Sequence, residues 1–154
     1  MSVTMTIDAN KEMDLKGDFD TIFDELAQVE KMASMFPKVE RLVNLGDNTY
    51  RWEMEKAGFS KYTMQLIYAV KYEIDKTKGT IAWKPVPGVG NAVHSGQVKI
   101  TPTAGGVHIV LSSKIDMELP IPKLAKPLVT PVIMHEFNAT TEKFEARMRK
   151  HFNS

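Results

Sequence analysis

The sequence predicts a single α+β domain spanning residues 1–154, in which a curved antiparallel sheet of about seven strands closes over one long C-terminal helix. Three observations predict this fold. Apolar and polar residues alternate in several runs between residues 39 and 119, as in strands with one buried face. Short turn segments separate these runs, which favours antiparallel neighbours. The last stretch then changes to apolar residues at helical spacing.

The chain begins with a predicted strand and two short helices. Val3 to Leu15 reads as a strand that is broken by a polar middle. Gly17 ends it, and Asp18 can cap a helix whose apolar residues recur at helical spacing. A second short helical piece is predicted from Val29 to Met35, ending before Pro37 because the residue before a proline disfavours helix.

About six strands and the final helix follow. The alternation is clearest in Tyr50–Glu55, in Tyr62–Ile74, which reads as one strand, and in Val107–Leu119. After a segment punctuated by prolines, a helix is predicted from Pro127 to His151. Pro131 lies in its first turns, where proline is tolerated.

Composition excludes several classes of function. The chain has no cysteine and a formal net charge of +1. It has no basic run interleaved with aromatics, so nucleic acid is not an expected partner. Neither a signal peptide nor a membrane-spanning apolar run is recognisable, so we expect a cytoplasmic protein.

The motifs predict neither a cofactor nor a metal site. The sequence lacks a glycine-rich dinucleotide or nucleoside-triphosphate loop, so no cofactor is expected. His135 and Glu136 begin a pattern found in zinc-binding helices, but the residue four positions after His135 is Ala139. No second imidazole is therefore available one helical turn away.

Four short segments and their order along the chain resemble a known superfamily. They are Asp20–Leu26 followed by Phe36–Leu42, the strand Gly96–Pro102 ending in the turn at 105–107, and Phe144 in the last helix. These segments are similar to those of the START-like superfamily (SRPBCC), which includes polyketide cyclases, coenzyme-Q-binding proteins and one of the carbon monoxide dehydrogenase subunits. The resemblance implies a helix-grip fold, in which the sheet grips the C-terminal helix and leaves a ligand cavity.

Aromatic residues and methionines at inward positions are the candidate ligand-binding residues. Ten methionines suit an interior that adapts to varied apolar shapes, and buried Tyr and Trp need partners for their polar atoms. The candidates are Tyr50, Trp52, Met54, Tyr62, Met64, Tyr68, Trp83, His94, Met117, Ile133 and Phe137.

The leading functional hypothesis is binding or transport of a hydrophobic small molecule, such as a lipid, a quinone or a polycyclic compound, without catalysis. The first alternative is an enzyme of the polyketide cyclase or aromatase kind, in which His94 or Tyr68 moves protons. The second is an accessory module that docks a partner protein. Lys123 and Lys126, set in an apolar segment, also suit brief contact with a membrane surface.

Overall fold

The structure is a computed structural model that describes residues 3–59 and 62–153. In chain order the elements are β1 (Val3–Lys16), α1 (Phe19–Leu26), α2 (Val29–Ala33), β2 (Val39–Gly46), β3 (Thr49–Met54), β4 (Ala57–Phe59), β5 (Tyr62–Met64), β6 (Ile67–Asp75), β7 (Thr80–Pro85), β8 (Ala92–Thr103), β9 (Gly106–Leu119), a short 3₁₀ turn (Lys123–Ala125) and α3 (Lys126–Asn153).

Seven of these strands form one curved antiparallel sheet within the described residues, in the order β1-β9-β8-β7-β6-β3-β2. β4 and β5 form a separate pair. Side chains from the concave face of the sheet and from α3 line one common cavity. The predicted helix-grip α+β fold is therefore confirmed.

β1 shows most clearly how the sequence builds the sheet. Its residues alternate between buried and exposed along the strand, and it pairs with β9 without interruption from Val3 opposite Leu119 to Lys16 opposite Gly106. The polar middle predicted from the sequence does not break this strand. It continues because the backbone pairing with β9 is complete there and the polar side chains point mainly outward.

α1 forms as predicted. The Asp18 carboxylate accepts a hydrogen bond from the backbone N–H of Thr21 at 3.1 Å, which caps the helix. Ile22, Phe23 and Leu26 are buried on one face of the helix. The short helices thus extend the core at one end of the sheet.

The segment predicted as one strand from Tyr62 to Ile74 is instead two strands. β5 ends at Met64 and β6 begins at Ile67, so Gln65 and Leu66 interrupt the pairing. A side chain from another part of the chain, Asn91, bonds to the backbone at this interruption.

No helix in the described parts of the chain, 3–59 and 62–153, is long and apolar enough to cross a membrane.

Candidate ligand-binding site

A cavity of about 520 Å³ lies between α3 and the concave face of the sheet. Its lining is mostly apolar, and its volume falls within the range typical of small-molecule sites. Four of the lining residues are exposed to solvent: Lys38, Glu55, Lys56 and Ala57. The cavity therefore reaches the surface between the loop before β2 and the end of β3.

Most of the ligand-binding candidates from the sequence lie in the cavity lining. They are Trp52, Met54, Met64, Tyr68, Trp83, His94, Met117, Ile133 and Phe137. Tyr50 and Tyr62 are not among the lining residues that the structure describes. Tyr50 is buried elsewhere, because its hydroxyl donates to the Glu30 carboxylate of α2 at 3.0 Å.

A chain of aromatic rings connects α3 to the sheet. Phe144 of α3 stacks on Phe36 with ring centroids 3.8 Å apart, and Phe36 meets Trp52 edge-on at 5.7 Å. Trp52 in turn stacks with Tyr68 at 6.2 Å. All four rings line the cavity, so together they offer an extended aromatic surface to a ligand.

Tyr68 also belongs to a second aromatic group, which it forms with His94 and Trp83. The His94 ring contacts Tyr68 edge-on at 5.0 Å and Trp83 at 5.5 Å. Gly96 makes room for this group, since a Cβ at that position would lie 2.4 Å from an atom of the Trp83 ring. A larger residue at Gly96 would displace the indole.

This group contains buried polar atoms that lack partners. His94 as a whole is half-buried, but both of its ring nitrogens are inaccessible, as is the Trp83 indole nitrogen. Among residues 3–59 and 62–153, none of these three nitrogens has a hydrogen-bond partner. An unsatisfied buried polar group costs about 1–3 kcal/mol, so a small turn of these rings that brought a nitrogen to a ligand atom or a water molecule would be favourable.

Burial also changes the acid–base properties of the same group. It lowers the pKa of His94 to about 4, so the imidazole is neutral near pH 7. It raises the pKa of the Tyr68 hydroxyl, which therefore stays protonated. Both groups are suited to hydrogen bonding with a ligand rather than to carrying charge.

A charged side chain reaches the cavity from β1. Lys11 has the same strand parity as Met13 and Leu15 and lies in the lining, opposite Leu111 of β9 in the register. It is half-buried. Glu145 of α3 also lines the cavity.

The rim of the cavity is held by an ion pair. Lys38 follows Pro37, has a φ of 65° and donates through its ammonium to the Glu136 carboxylate of α3. This hydrogen bond lowers the pKa of the Glu136 carboxyl. The Lys38 carbonyl also accepts from the backbone N–H of Glu55 at 2.8 Å, which ties the loop to the end of β3.

Two amide side chains, those of Gln65 and Asn91, fix the lining residues between β5 and β6. The Asn91 amide donates to the Gln65 carbonyl at 2.7 Å and accepts from the backbone N–H of Ile67 at 2.9 Å. The Gln65 amide donates to the Met54 carbonyl at 2.9 Å and to the Glu40 carboxylate at 2.7 Å. These bonds hold the interruption between β5 and β6 in one position.

Several lining residues are absent from the sequence-based candidates. They include Phe36, Phe144 and Tyr72, and the polar residues Lys11, Gln65, Asn91, Ser113 and Glu145. A sequence signal existed for Lys11 and Tyr72, because each shares its strand parity with predicted inward residues.

The residues that the structure describes contain no group of three or more His, Asp or Glu side chains arranged to hold a metal ion.

Solved structures confirm the START-like fold of this chain. A START superfamily protein from Mycobacterium smegmatis is 15% identical with a TM-score of 0.61, over 95% of this chain and 97% of that one. The ZhuI aromatase/cyclase from a Streptomyces species is 12% identical with a TM-score of 0.53, over 94% and 97%. The di-domain aromatase/cyclase StfQ of the steffimycin pathway is 15% identical with a TM-score of 0.61, over 96% and 51%.

No protein-family model matches the chain, and no curated protein matches it significantly.

Proposed function

We propose that this protein binds or carries a hydrophobic small molecule, such as a lipid, a quinone or a polycyclic compound, in the cavity between α3 and the sheet. The observation that carries the proposal is the cavity of about 520 Å³ with its mostly apolar lining. Transfer of apolar ligand surface from water drives binding, at about 25 cal/mol per Å² before the entropy costs of association. The unpaired nitrogens of His94 and Trp83 are enclosed, so they would meet a polar atom of the ligand once these rings turn toward the cavity.

Native mass spectrometry of the protein purified from its own host, followed by organic extraction, tests the proposal. We expect a stoichiometric apolar compound.

A matched pair of variants then tests whether the compound binds in this cavity. Ser113 lies in the lining, whereas the adjacent Ser112 is exposed on the other face of β9.

Ser113→Phe should fill part of the cavity and weaken binding of the extracted compound about tenfold or more, while Ser112→Phe should leave binding unchanged. Equal binding by wild type and Ser113→Phe would contradict a site in this cavity.

The second candidate function is that of a cyclase or aromatase. It is favoured by the solved aromatase/cyclases of the same fold and by the position of Tyr68 and His94 together in the lining. General acid–base catalysis is most efficient when the catalytic pKa lies near the working pH. The lowered pKa of His94, about 4, and the raised pKa of Tyr68 therefore favour binding over proton transfer.

Incubation of the extracted compound with the protein separates these two functions. Cyclisation with dehydration would appear as loss of water by mass spectrometry, and Tyr68→Phe and His94→Gln would slow it. We expect the compound to be recovered with its mass unchanged.

An exposed apolar patch beside the cavity supports a further part of the proposal, contact with a membrane during loading. Leu124 is 91% exposed and Leu128 is 66% exposed, and the exposed Lys123 and Lys126 lie between and beside them. Leu128 lies one helical turn before the lining residue Val132. Apolar side chains flanked by lysines favour the surface of a bilayer that contains anionic lipids.

Vesicle flotation tests this contact. We expect the protein to float with vesicles of phosphatidylcholine mixed with phosphatidylglycerol, and the double variant Leu124→Ser with Leu128→Ser to remain behind. Leu45→Ser is the matched control, because Leu45 is 51% exposed on β2, away from the patch. Loss of flotation in the control, or its retention in the double variant, would refute membrane contact through this patch.

A further inference from the structure

We infer that the cavity selects apolar ligands that carry a single carboxylate, and that Lys11 binds this carboxylate. The inference rests on the proposed binding function of the cavity and specifies its ligand class. The position of Lys11 on β1 is unusual. Along β1 the inward positions from Val3 to Leu15 are occupied by apolar side chains, except for Lys11, which lies between Ala9 and Met13.

The register of the sheet places Lys11 against the cavity. Lys11 pairs with Leu111, and Leu111 pairs on its other side with Val98 of β8. All three residues line the cavity. Lys11 therefore belongs to a row of the sheet that is otherwise apolar, and its ammonium, when turned into the cavity, would attract an anion more strongly than it does in water.

The acidic neighbours of Lys11 in sequence do not neutralise it. Glu12 and Asp14 lie on the outer face of β1, where their carboxylates contact the His108 ring at 3.3 and 2.7 Å. The other lysines of the lining differ from Lys11. Lys38 is paired with Glu136, and Lys56 is exposed to water. Within residues 3–59 and 62–153, Lys11 forms no ion pair and is half-buried.

The surroundings of Lys11 limit the charge of the anion. Ser113, two positions after Leu111 on the same face of β9, places a second polar side chain in the lining. Glu145 of α3 lines the same cavity and forms no ion pair among the described residues. A monoanionic carboxylate matches the single Lys11 ammonium, whereas a phosphate dianion would keep one uncompensated charge in a lining that already holds the Glu145 carboxylate.

Tryptophan fluorescence reports ligand binding in this cavity. The protein has two tryptophans, Trp52 and Trp83, and both line the cavity. Their fluorescence therefore follows occupancy directly. The probes are decanoate and decan-1-ol at pH 7, which share an apolar chain and differ in the head group.

We expect Lys11→Met to weaken decanoate binding about tenfold or more, since a hydrogen bond to a charged group is lost, and to change decan-1-ol binding less than about twofold. The matched control Lys114→Met should leave both affinities unchanged, because Lys114 is exposed on the outer face of β9 and does not line the cavity. Glu145→Gln should tighten decanoate binding by removing a like charge.

Each contrary outcome has a distinct meaning. Equal weakening of both probes by Lys11→Met, or weaker decanoate binding in Glu145→Gln, would overturn the carboxylate inference and leave the carrier function intact. If neither probe gave a saturable fluorescence change with the wild-type protein, the proposed function itself would fail for simple apolar chains.

Discussion

The two halves of the sheet line the same cavity with different chemistry. The aliphatic half, made of β1, β9 and β8, presents mainly aliphatic side chains such as Ile7, Ile109 and Met117, together with Lys11 and His94. The aromatic half, made of β7, β6 and β3, presents Trp83, Tyr72, Tyr68 and Trp52.

The backbone pairing of the two halves differs as well. β1 and β9 pair in unbroken register, whereas the pairing of β2 with β3, at the edge of the aromatic half, shifts twice. The two halves therefore differ in what they contribute. Regular pairing in the aliphatic half holds the fold, and the aromatic half supplies the flat ring surfaces of the cavity. The polar groups proposed to meet a ligand come from both halves, because Trp83 lies on β7 whereas His94 and Lys11 lie on β8 and β1.

The largest expected effect tests the structural role of the aliphatic half. Ile100 of β8 is 1% exposed, and its truncation leaves a void that the surrounding core cannot fill. Ile100→Ala should lower the free energy of unfolding in urea by about 2–5 kcal/mol. Ile74→Ala is the matched control, because Ile74 is 41% exposed, and it should cost much less.

Trp83→Phe in the aromatic half should cost less than about 1.5 kcal/mol, since the indole borders the cavity and a ring is retained. A loss as large as that of Ile100→Ala would remove the proposed difference between the halves.

The buried side chain of His94 should make the stability of the protein depend on pH. Burial lowers the pKa of His94 from its ordinary value of 6.5 to about 4, so below pH 6.5 the unfolded chain binds a proton that the folded protein does not. Stability should therefore fall as the pH drops from 6.5 towards 4, by roughly 3 kcal/mol in total. Urea unfolding of wild type and His94→Phe at several pH values measures this contribution, and parallel pH profiles would contradict it.

The smallest expected effect concerns His108, on the outer face of the aliphatic half. Hydrogen bonds from the ring to Asp14 and then Glu12 raise the pKa of His108 above 6.5. The stabilisation is therefore fully present below pH 6.5 and is lost as the pH rises through the raised value. The stability difference between wild type and His108→Gln should shrink with rising pH, opposite in direction to that for His94, and salt should weaken it. A difference that is independent of pH would show that these contacts contribute nothing.

The sequence predicts the fold well because its signals are local. Strand alternation in β9 and the capping of α1 by Asp18 depend on residues close together in the chain. The interruption of the strand at Gln65 is not predictable in this way, because it is fixed by Asn91, which lies 26 positions further on.

The candidate site is predicted less completely, for the same reason. Tyr50 has inward parity, but the carboxylate of Glu30 engages its hydroxyl outside the cavity. The stacking of Phe36 on Phe144 depends on where α3 crosses the sheet, which no local pattern encodes. Strand parity does identify Lys11, although its charge suggests an outward position.

The pairing of β1 with β9 affects the order of events in folding. Thr6 and Asp116, which are hydrogen-bonded across this pair, are 110 positions apart. Contacts between distant segments close a large loop and form slowly, so this pairing is expected to be a late event in folding. During synthesis on the ribosome, β1 emerges long before β9. The apolar face of β1 therefore stays exposed until β9 has been synthesised. That interval is when the chain is most exposed to aggregation and most dependent on chaperones.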